Sequence, residues 1–576
     1  MNLAGWAQKI FRPGVDGRTD IRLDYAVLIG LSLLLVVTGL GLRDPWPADE
    51  PRFALVVLDM AATHDWLIPR VGGDVYADKP PLFFWLMAVA LQVLGSLRLA
   101  FLLPSMVGAI GSVVLIYDLA RRLWGRETGL IAGVSLLLTV QFVWQARQAQ
   151  IDATLCFWTT LSLYGLLRHL LIGPDWRWYA VGWAAAGFGV ITKGVGFLPI
   201  LILLPFAFLR APDWAPRVAV RASAKWGMGP LAFLLAVGVW LVPMLLAARQ
   251  DPALASYRDE ILFHQTIGRY ANAWHHREPV WFFFTNVIPW LWLPLTALLP
   301  WIVPHWLRAL RQRDLRIALP LCWIIMVVVF FTCSTGKRGV YVLPAVPALA
   351  LICAPYLHAT AKHATAQRVL HGLTAALGGI FAVAAVYLLL RSGERADLLA
   401  EHGIDPLGPL ILLAAGAVSI CALTRPAHGF LSFAGVIAVG LMVTSFWISP
   451  AINQIRSGAA FVRKVEQIAS PTSELGLFAF KEQYLLNMTR PVVHFGRARW
   501  REPEQEAADA ARWLAAGDRQ LVVNRWGRER CFARSVSRSL GVANREEWYL
   551  VSGEADPHCI ARGDPGAVHH YARPGP

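Results

Sequence analysis

The sequence predicts a polytopic α-helical membrane protein with about 13 transmembrane helices, followed by a C-terminal soluble α/β domain. Three observations lead there. Of the 576 residues, 56% are hydrophobic and only 16% charged, and a mean hydropathy of +0.48 means more apolar surface than a soluble core can use. Apolar stretches of span length succeed one another as far as Ile448. Beyond that point Lys, Arg, Glu and Asp become frequent and short strand-like runs replace the spans.

The chain opens with Lys9, Arg12, Arg18 and Arg22 ahead of an apolar run from Tyr25 to Leu42, with no small-residue cleavage site behind it. This is the pattern of an uncleaved signal anchor whose N-terminus is cytoplasmic. Further spans are expected at 98–120, 128–146, 151–171, 178–192, 195–210, 227–248, 281–303, 316–333, 339–357, 368–390, 407–424 and 428–448. The run 81–95 is decided by charge. If it crossed, Arg121, Arg122 and Arg126 and the cation-rich loops 210–226 and 308–316 would all lie outside, against the positive-inside rule. It is therefore expected to lie along the interface or to re-enter, which puts the C-terminus outside. There is no repeat period, and prolines such as Pro289, Pro294 and Pro300 stand at helix ends or kinks.

The expected membrane part is 1–448, with a first external loop over 43–97, and the soluble part is 449–576. The loop organises the rest. It leaves the first span through Asp44-Pro45-Trp46-Pro47-Ala48-Asp49-Glu50, runs through an amphipathic helix, and ends in Tyr76-Ala77-Asp78-Lys79-Pro80-Pro81. Asp49 and Glu50 precede Pro51, so capping of the next helix is one explanation. A carboxylate at the end of a span also suits binding or deprotonating an acceptor at the membrane surface. Arg52 and Lys79 can snorkel toward headgroups, yet a point cation beside Tyr76 also suits a lipid-linked phosphate. The net charge of +15 exceeds what cytoplasmic loops require and points to anionic lipid or phosphate partners rather than nucleic acid.

The same external face collects further polar residues. Arg147 and Asp152 mark a turn that suits either a mutual ion pair or a sugar site, and Lys193 reaches that face too. The segment 249–280 mixes His264, Arg269, His275 and His276 with Tyr257, Phe263, Tyr270 and Trp274, as a lid over an amphipathic ligand would. His264 with Asp78 is the place for a divalent cation, although no ligand spacing supports one. The turn Ser334-Thr335-Gly336-Lys337-Arg338-Gly339-Val340-Tyr341 suits phosphate without being a nucleotide loop.

In the soluble part, runs at Leu475 to Phe480, Val492 to Phe495, Leu521 to Asn524 and Trp548 to Ser552 read as strands, with helical sequence over Glu504 to Ala516 between them. Five of the seven cysteines lie in apolar segments, leaving Cys531 and Cys559 as the pair expected to bridge in an oxidising compartment.

The Asp49-Glu50 pair, the Lys79-Pro80-Pro81 end of the loop, Arg121-Arg122-Leu123-Trp124-Gly125 and the Lys337-Arg338-x-x-Tyr341 turn together resemble the GT-C glycosyltransferases of the protein-mannosyltransferase-like superfamily, most of all those that transfer aminoarabinose to lipid A. Asp78-Lys79-Pro80 stands where that branch commonly has Glu-Lys-Pro; the shorter acid keeps the charge and loses reach. The resemblance implies an inverting transfer of 4-amino-4-deoxy-L-arabinose from undecaprenyl phosphate to a lipid A phosphate, at the periplasmic face of a bacterial inner membrane, with no cofactor required and with polymyxin resistance as the consequence. It implies that Asp49, Glu50 and Asp152 are catalytic. The donor phosphate falls to Arg52, Tyr76, Lys79, Arg269, Lys337 and Tyr341, and the substrate to Arg147 and Lys193. Two other readings stand beside it. A protein O-mannosyltransferase needs Asp49 as a true base, and a lipid transporter or flippase tends to show internal repeats.

Overall fold

The computed structural model of the protein describes residues 17–209, 224–251, 253–263 and 277–575. Among these, seven helices are long and apolar enough to cross a membrane, or up to ten if each of three bent pairs is one span. All ten coincide with expected spans. The other three expected spans are also helical: Gly17–Ser32 continued by a π-helical turn Leu33–Val37, Trp176–Val190, and a 3-10 segment Gly194–Ile202 running into Leu203–Leu209. The 81–95 run is a helix over Leu82–Leu94. Its 13 residues rise about 20 Å, well short of a hydrocarbon core of roughly 30 Å.

Close helix packing uses glycine where the backbones meet. Ile151–Leu167 and Trp176–Val190 cross at Gly165 and Gly182, where a Cβ on Gly165 would stand 2.8 Å from the Gly182 Cα and one on Gly182 would stand 2.9 Å from the Ser162 carbonyl oxygen. In a membrane such contact stands in for the hydrophobic driving force that lipid removes.

The first loop departs from expectation in one respect. Its helix, Glu50–Thr63, expected to be amphipathic, has ten buried residues, among them every position from Phe53 to Met60. One side packs on Leu82–Leu94 and the other on the helix Glu482–Asn487 of the soluble part. Asp59, which an amphipathic helix would turn to water, is buried there, accepting the Tyr571 hydroxyl at 2.9 Å and the Gly73 N–H at 3.2 Å. The helix is followed by a hairpin of β1 (Arg70–Val71) and β2 (Asp74–Val75). It turns through Gly72 and Gly73 with φ of +60° and +85°, conformations that glycine adopts without steric cost.

The soluble part holds a six-stranded sheet of β3 (Glu474–Leu477), β4 (Val492–His494), β5 (Arg519–Asn524), β6 (Val536–Ala543), β7 (Glu546–Ser552) and β8 (His569–Tyr571). The spatial order is β6-β7-β5-β3-β4-β8, with β3 parallel to β4 and β5 and the remaining pairs antiparallel. Alternation along the strands sends Leu521, Val523 and Val551 to one face, against Trp513 of helix Pro503–Leu514. Val522, Leu550 and Trp548 go to the other face, where Phe461 and Tyr484 join them to the membrane core. β6 and β8 escape a reading of the sequence because β6 is a mostly exposed edge strand and β8 has three residues. Cys531 and Cys559 form a disulfide with Cα atoms 5.9 Å apart.

Candidate functional site

Asp49 stands immediately before the helix Glu50–Thr63, with Pro51 in the first turn, yet its side chain makes no capping hydrogen bond. The carboxylate turns outward instead. It accepts from the Arg338 guanidinium at 3.0 Å and lies 3.8 Å from Arg52. Burial pushes this carboxyl upward, but Arg338, Arg52 and Lys79 outweigh burial and hold it below the usual carboxylate range. It is an ionised group set among cations.

Two cavities meet there, with Asp49, Gln150 and Arg338 bordering both. The smaller, of about 70 Å³, is walled by Arg52, Tyr76, Asp78, Lys79, Asp152, Lys193 and Tyr341. Inside it Lys193 donates to Asp152 at 2.5 Å and lies 4.2 Å from the centre of the Tyr341 ring. The larger, of about 270 Å³, is walled by Arg43, Trp46, Glu50, Trp144, Arg147 and Arg456 together with Leu102 and Met106. Each acid in the smaller cavity has a cationic partner, so the place is electrically poised with cations at its rim, which suits a bound phosphate.

The soluble part braces the smaller cavity. Arg497, directly after β4 and Gly496, forms an ion pair with Asp78, lies 4.8 Å over the Tyr76 ring, and donates its backbone N–H to Asp74 at 2.7 Å. Glu482 accepts from Arg52 at 2.7 Å. His494 donates to the Gly72 carbonyl at 2.9 Å and His569 pairs with Asp74 at 2.9 Å. The Tyr76-to-Lys79 segment is thus clamped between the hairpin and residues more than four hundred positions away.

The structure brings Asp49, Arg52, Tyr76, Asp78, Lys79, Asp152, Lys193 and Tyr341 to one cavity. It gives other roles to two residues picked out in the sequence, and places a third in the larger cavity with partners other than the one expected. Glu50, expected to be catalytic, is buried and saturated: Arg43 grips both of its oxygens, and the backbone N–H groups of Trp46 and Ala149 each donate to it at 2.9 Å. It anchors the loop and has no oxygen to offer. Lys337, expected at the donor phosphate, is buried and donates to the Glu278 carbonyl at 2.8 Å; its neighbour Arg338 reaches the site instead. Arg147 does not pair with Asp152. It donates to the Leu35 carbonyl at 2.8 Å and to the Ser445 hydroxyl, and it faces the larger cavity. His264 and Arg269 lie outside the described residues.

Asp78 is paired with Arg497, and the described residues, which do not include its expected partner His264, hold no group of three His, Cys, Asp or Glu suited to a metal. The residues that sequence reasoning passed over are Arg338, Arg497, Glu482, Gln150, Arg43 and Arg456. Arg338 carried a signal, being quoted with Lys337, but a two-residue cationic turn does not tell which side chain points inward. The soluble-part residues carried none.

A sequence profile described as Dolichyl-phosphate-mannose-protein mannosyltransferase matches residues 78–242. The chain is 31% identical over 382 residues to the undecaprenyl phosphate-alpha-4-amino-4-deoxy-L-arabinose arabinosyl transferase of Pseudomonas savastanoi pv. phaseolicola, covering 64% of this chain and 68% of the relative. It is 30% identical over 445 residues to the protein of the same name from Pseudomonas aeruginosa strain LESB58, covering 74% and 71%. Its fold is that of the crystal structure of ArnT from Cupriavidus metallidurans bound to undecaprenyl phosphate, with a TM-score of 0.69 at 20% identity over 91% of this chain and 97% of that one. Sequence identity sustained across more than two thirds of these relatives, on a matching fold, makes this chain a membrane glycosyltransferase of the undecaprenyl phosphate-alpha-4-amino-4-deoxy-L-arabinose arabinosyl transferase family.

Proposed function

We propose that the protein moves 4-amino-4-deoxy-L-arabinose from undecaprenyl phosphate to a phosphate of lipid A, at the periplasmic face of the inner membrane, and that the added amine gives resistance to polymyxin and cationic peptides. The observation that carries this reading is the Asp49 carboxylate, free of any capping role and held ionised by Arg338 where two cation-rimmed cavities meet. The relatives' name supplies the donor and the sugar.

The chemistry follows from charge. A phosphate monoester is already ionised near neutral pH, its second pKa being about 6, so the acceptor needs no strong base. A carboxylate held below its usual range is a poor base, which suits a phosphate acceptor better than the Ser or Thr hydroxyl of a protein O-mannosyltransferase. Asp49 would orient the sugar through its cationic amine. Lys79, Arg52 and Tyr341 would stabilise the departing undecaprenyl phosphate, on which negative charge grows as the bond breaks. Asp152 fixes Lys193 against Tyr341 and so sets the floor of the same cavity. None of these steps draws on a cofactor.

The test is purified protein with the lipid-linked aminoarabinose donor and lipid A, followed by mass spectrometry of lipid A. A mass gain of one aminoarabinose on lipid A is expected. Lipid A that gains no such mass from an intact donor would reject the reading.

A further inference from the structure

We infer that the larger cavity, on the side of Asp49 away from Lys79, is the acceptor subsite, and that Arg147 and Arg456 bind the phosphate monoester of the acceptor lipid there. This deepens the proposed function and rests on it.

Four guanidinium groups face this cavity, from Arg43, Arg147, Arg338 and Arg456. Two are neutralised by neighbouring acids, Arg43 by Glu50 and Arg338 by Asp49. Arg147 donates to the Leu35 carbonyl and the Ser445 hydroxyl, and Arg456 lies 5.1 Å from the Trp46 ring; neither has a carboxylate partner among the described residues. Arg147 is half-buried and Arg456 exposed; a half-buried guanidinium beside membrane helices is costly without a counter-charge, so Arg147 with Arg456 beside it leaves the cavity ready to receive an anion. Its geometry is held in advance. The Trp46 indole carries both Arg43, at 4.7 Å, and Arg456, and its Nε1–H is fixed to Asn453 at 3.0 Å. Leu102 and Met106 give the cavity an apolar wall, as a phosphate attached to a lipid requires.

Two separate cation sets are what the reaction demands. In a direct displacement the attacking oxygen and the leaving oxygen stand on opposite sides of the anomeric carbon, so two phosphates must be held apart against their mutual repulsion. An oxygen of the acceptor monoester forms the new bond to that carbon. The bond to the undecaprenyl phosphate oxygen breaks, and its electron pair stays on undecaprenyl phosphate. No proton need be removed, because the acceptor enters ionised. Lys79 and Tyr341 lie in one cavity, Arg147 and Arg456 in the other, and Asp49 borders both.

The experiment is steady-state transfer with donor and lipid A titrated separately. Arg456 is exposed and forms no ion pair among the described residues, so Arg456→Ala and Arg456→Glu should fold. Loss of one charge-assisted contact should raise the KM for lipid A about tenfold in Arg456→Ala and further in Arg456→Glu, with the donor KM unchanged; Arg147→Lys should move the same parameter. Wild-type protein that leaves lipid A unmodified would overturn the proposed function and this assignment with it. Wild-type transfer to lipid A with an unchanged acceptor KM in Arg456→Glu, or a raised donor KM instead, would overturn this assignment alone.

Discussion

Asp49→Asn isolates the charge at the point where the two cavities meet. At 3.0 Å and an effective dielectric constant of about 20, the attraction between Asp49 and Arg338 is about 5.5 kcal/mol before desolvation is counted. Burial opposes ionisation here and the cations prevail, so the net worth is nearer that of a hydrogen bond to a charged group, about 1.5–3 kcal/mol. Asparagine keeps the shape and loses the charge. Because Asp49 caps nothing, the helix Glu50–Thr63 should be undisturbed, and the melting temperature should change little. The chemical step should suffer more. Removing a preorganised electrostatic contact from a reacting centre costs roughly 2.7–4 kcal/mol, or about 10² to 10³ in kcat. The assay is kcat for transfer to lipid A, with a thermal melt of the same preparation. A kcat within threefold of wild type would refute the role of Asp49, and a collapsed melt with proportionate loss of activity would show that its role is structural.

Glu50→Gln is the opposite case. It breaks a buried pair and leaves Arg43 uncompensated, which typically costs about 3–5 kcal/mol, so stability should fall with activity; a stable, inactive variant would return Glu50 to the chemistry. Arg497→Ala should raise the donor KM while leaving the membrane part folded, since Arg497 touches Asp78 and Tyr76 beside Lys79, and Arg497→Lys should restore part of the loss. An unchanged donor KM in Arg497→Ala would remove the brace. Burial pushes the Glu506 carboxyl up to about 7 from 4.5, so the folded state favours its protonated form. No penalty exists well below pH 4.5, where folded and unfolded chains both hold the proton, and it is complete above about pH 7, at roughly 3 kcal/mol. Stability should therefore fall as pH rises through that window, and Glu506→Gln, which keeps an acceptor for the Ala479 N–H, should flatten the slope; parallel wild-type and variant slopes between pH 4 and 8 would refute this. Cys531→Ser opens a loop with a sequence separation of 28 and should destabilise the soluble part by about 3 kcal/mol, which denaturant melts of oxidised wild type and variant decide.

The composition, the thirteen apolar stretches and the charge pattern around them determined by themselves that the chain is a bundle of membrane helices with an α/β layer after it. These signals are local: a span is written in some twenty consecutive residues. Asp49 and Lys79 were legible for a similar reason, since a carboxylate next to a proline at the end of a span, and a lysine before two prolines, stand out without any neighbour. What only the tertiary structure decided is which side chain of a close pair reaches the site. Asp49 and Glu50 are adjacent, yet a helix turn sends them apart, Glu50 into Arg43 and Asp49 into the cavity. Lys337 and Arg338 are adjacent in an extended approach to the next helix, and one goes to Glu278 while the other goes to Asp49. The sequence was equally silent on Arg497 and Glu482, because their contacts with Asp78 and Arg52 close over separations of 419 and 430 residues. Such contacts exist only because the first loop's helix is buried between two domains. No periodicity within that helix records its second partner, and the charges that look solvated along the chain are spent there on one another.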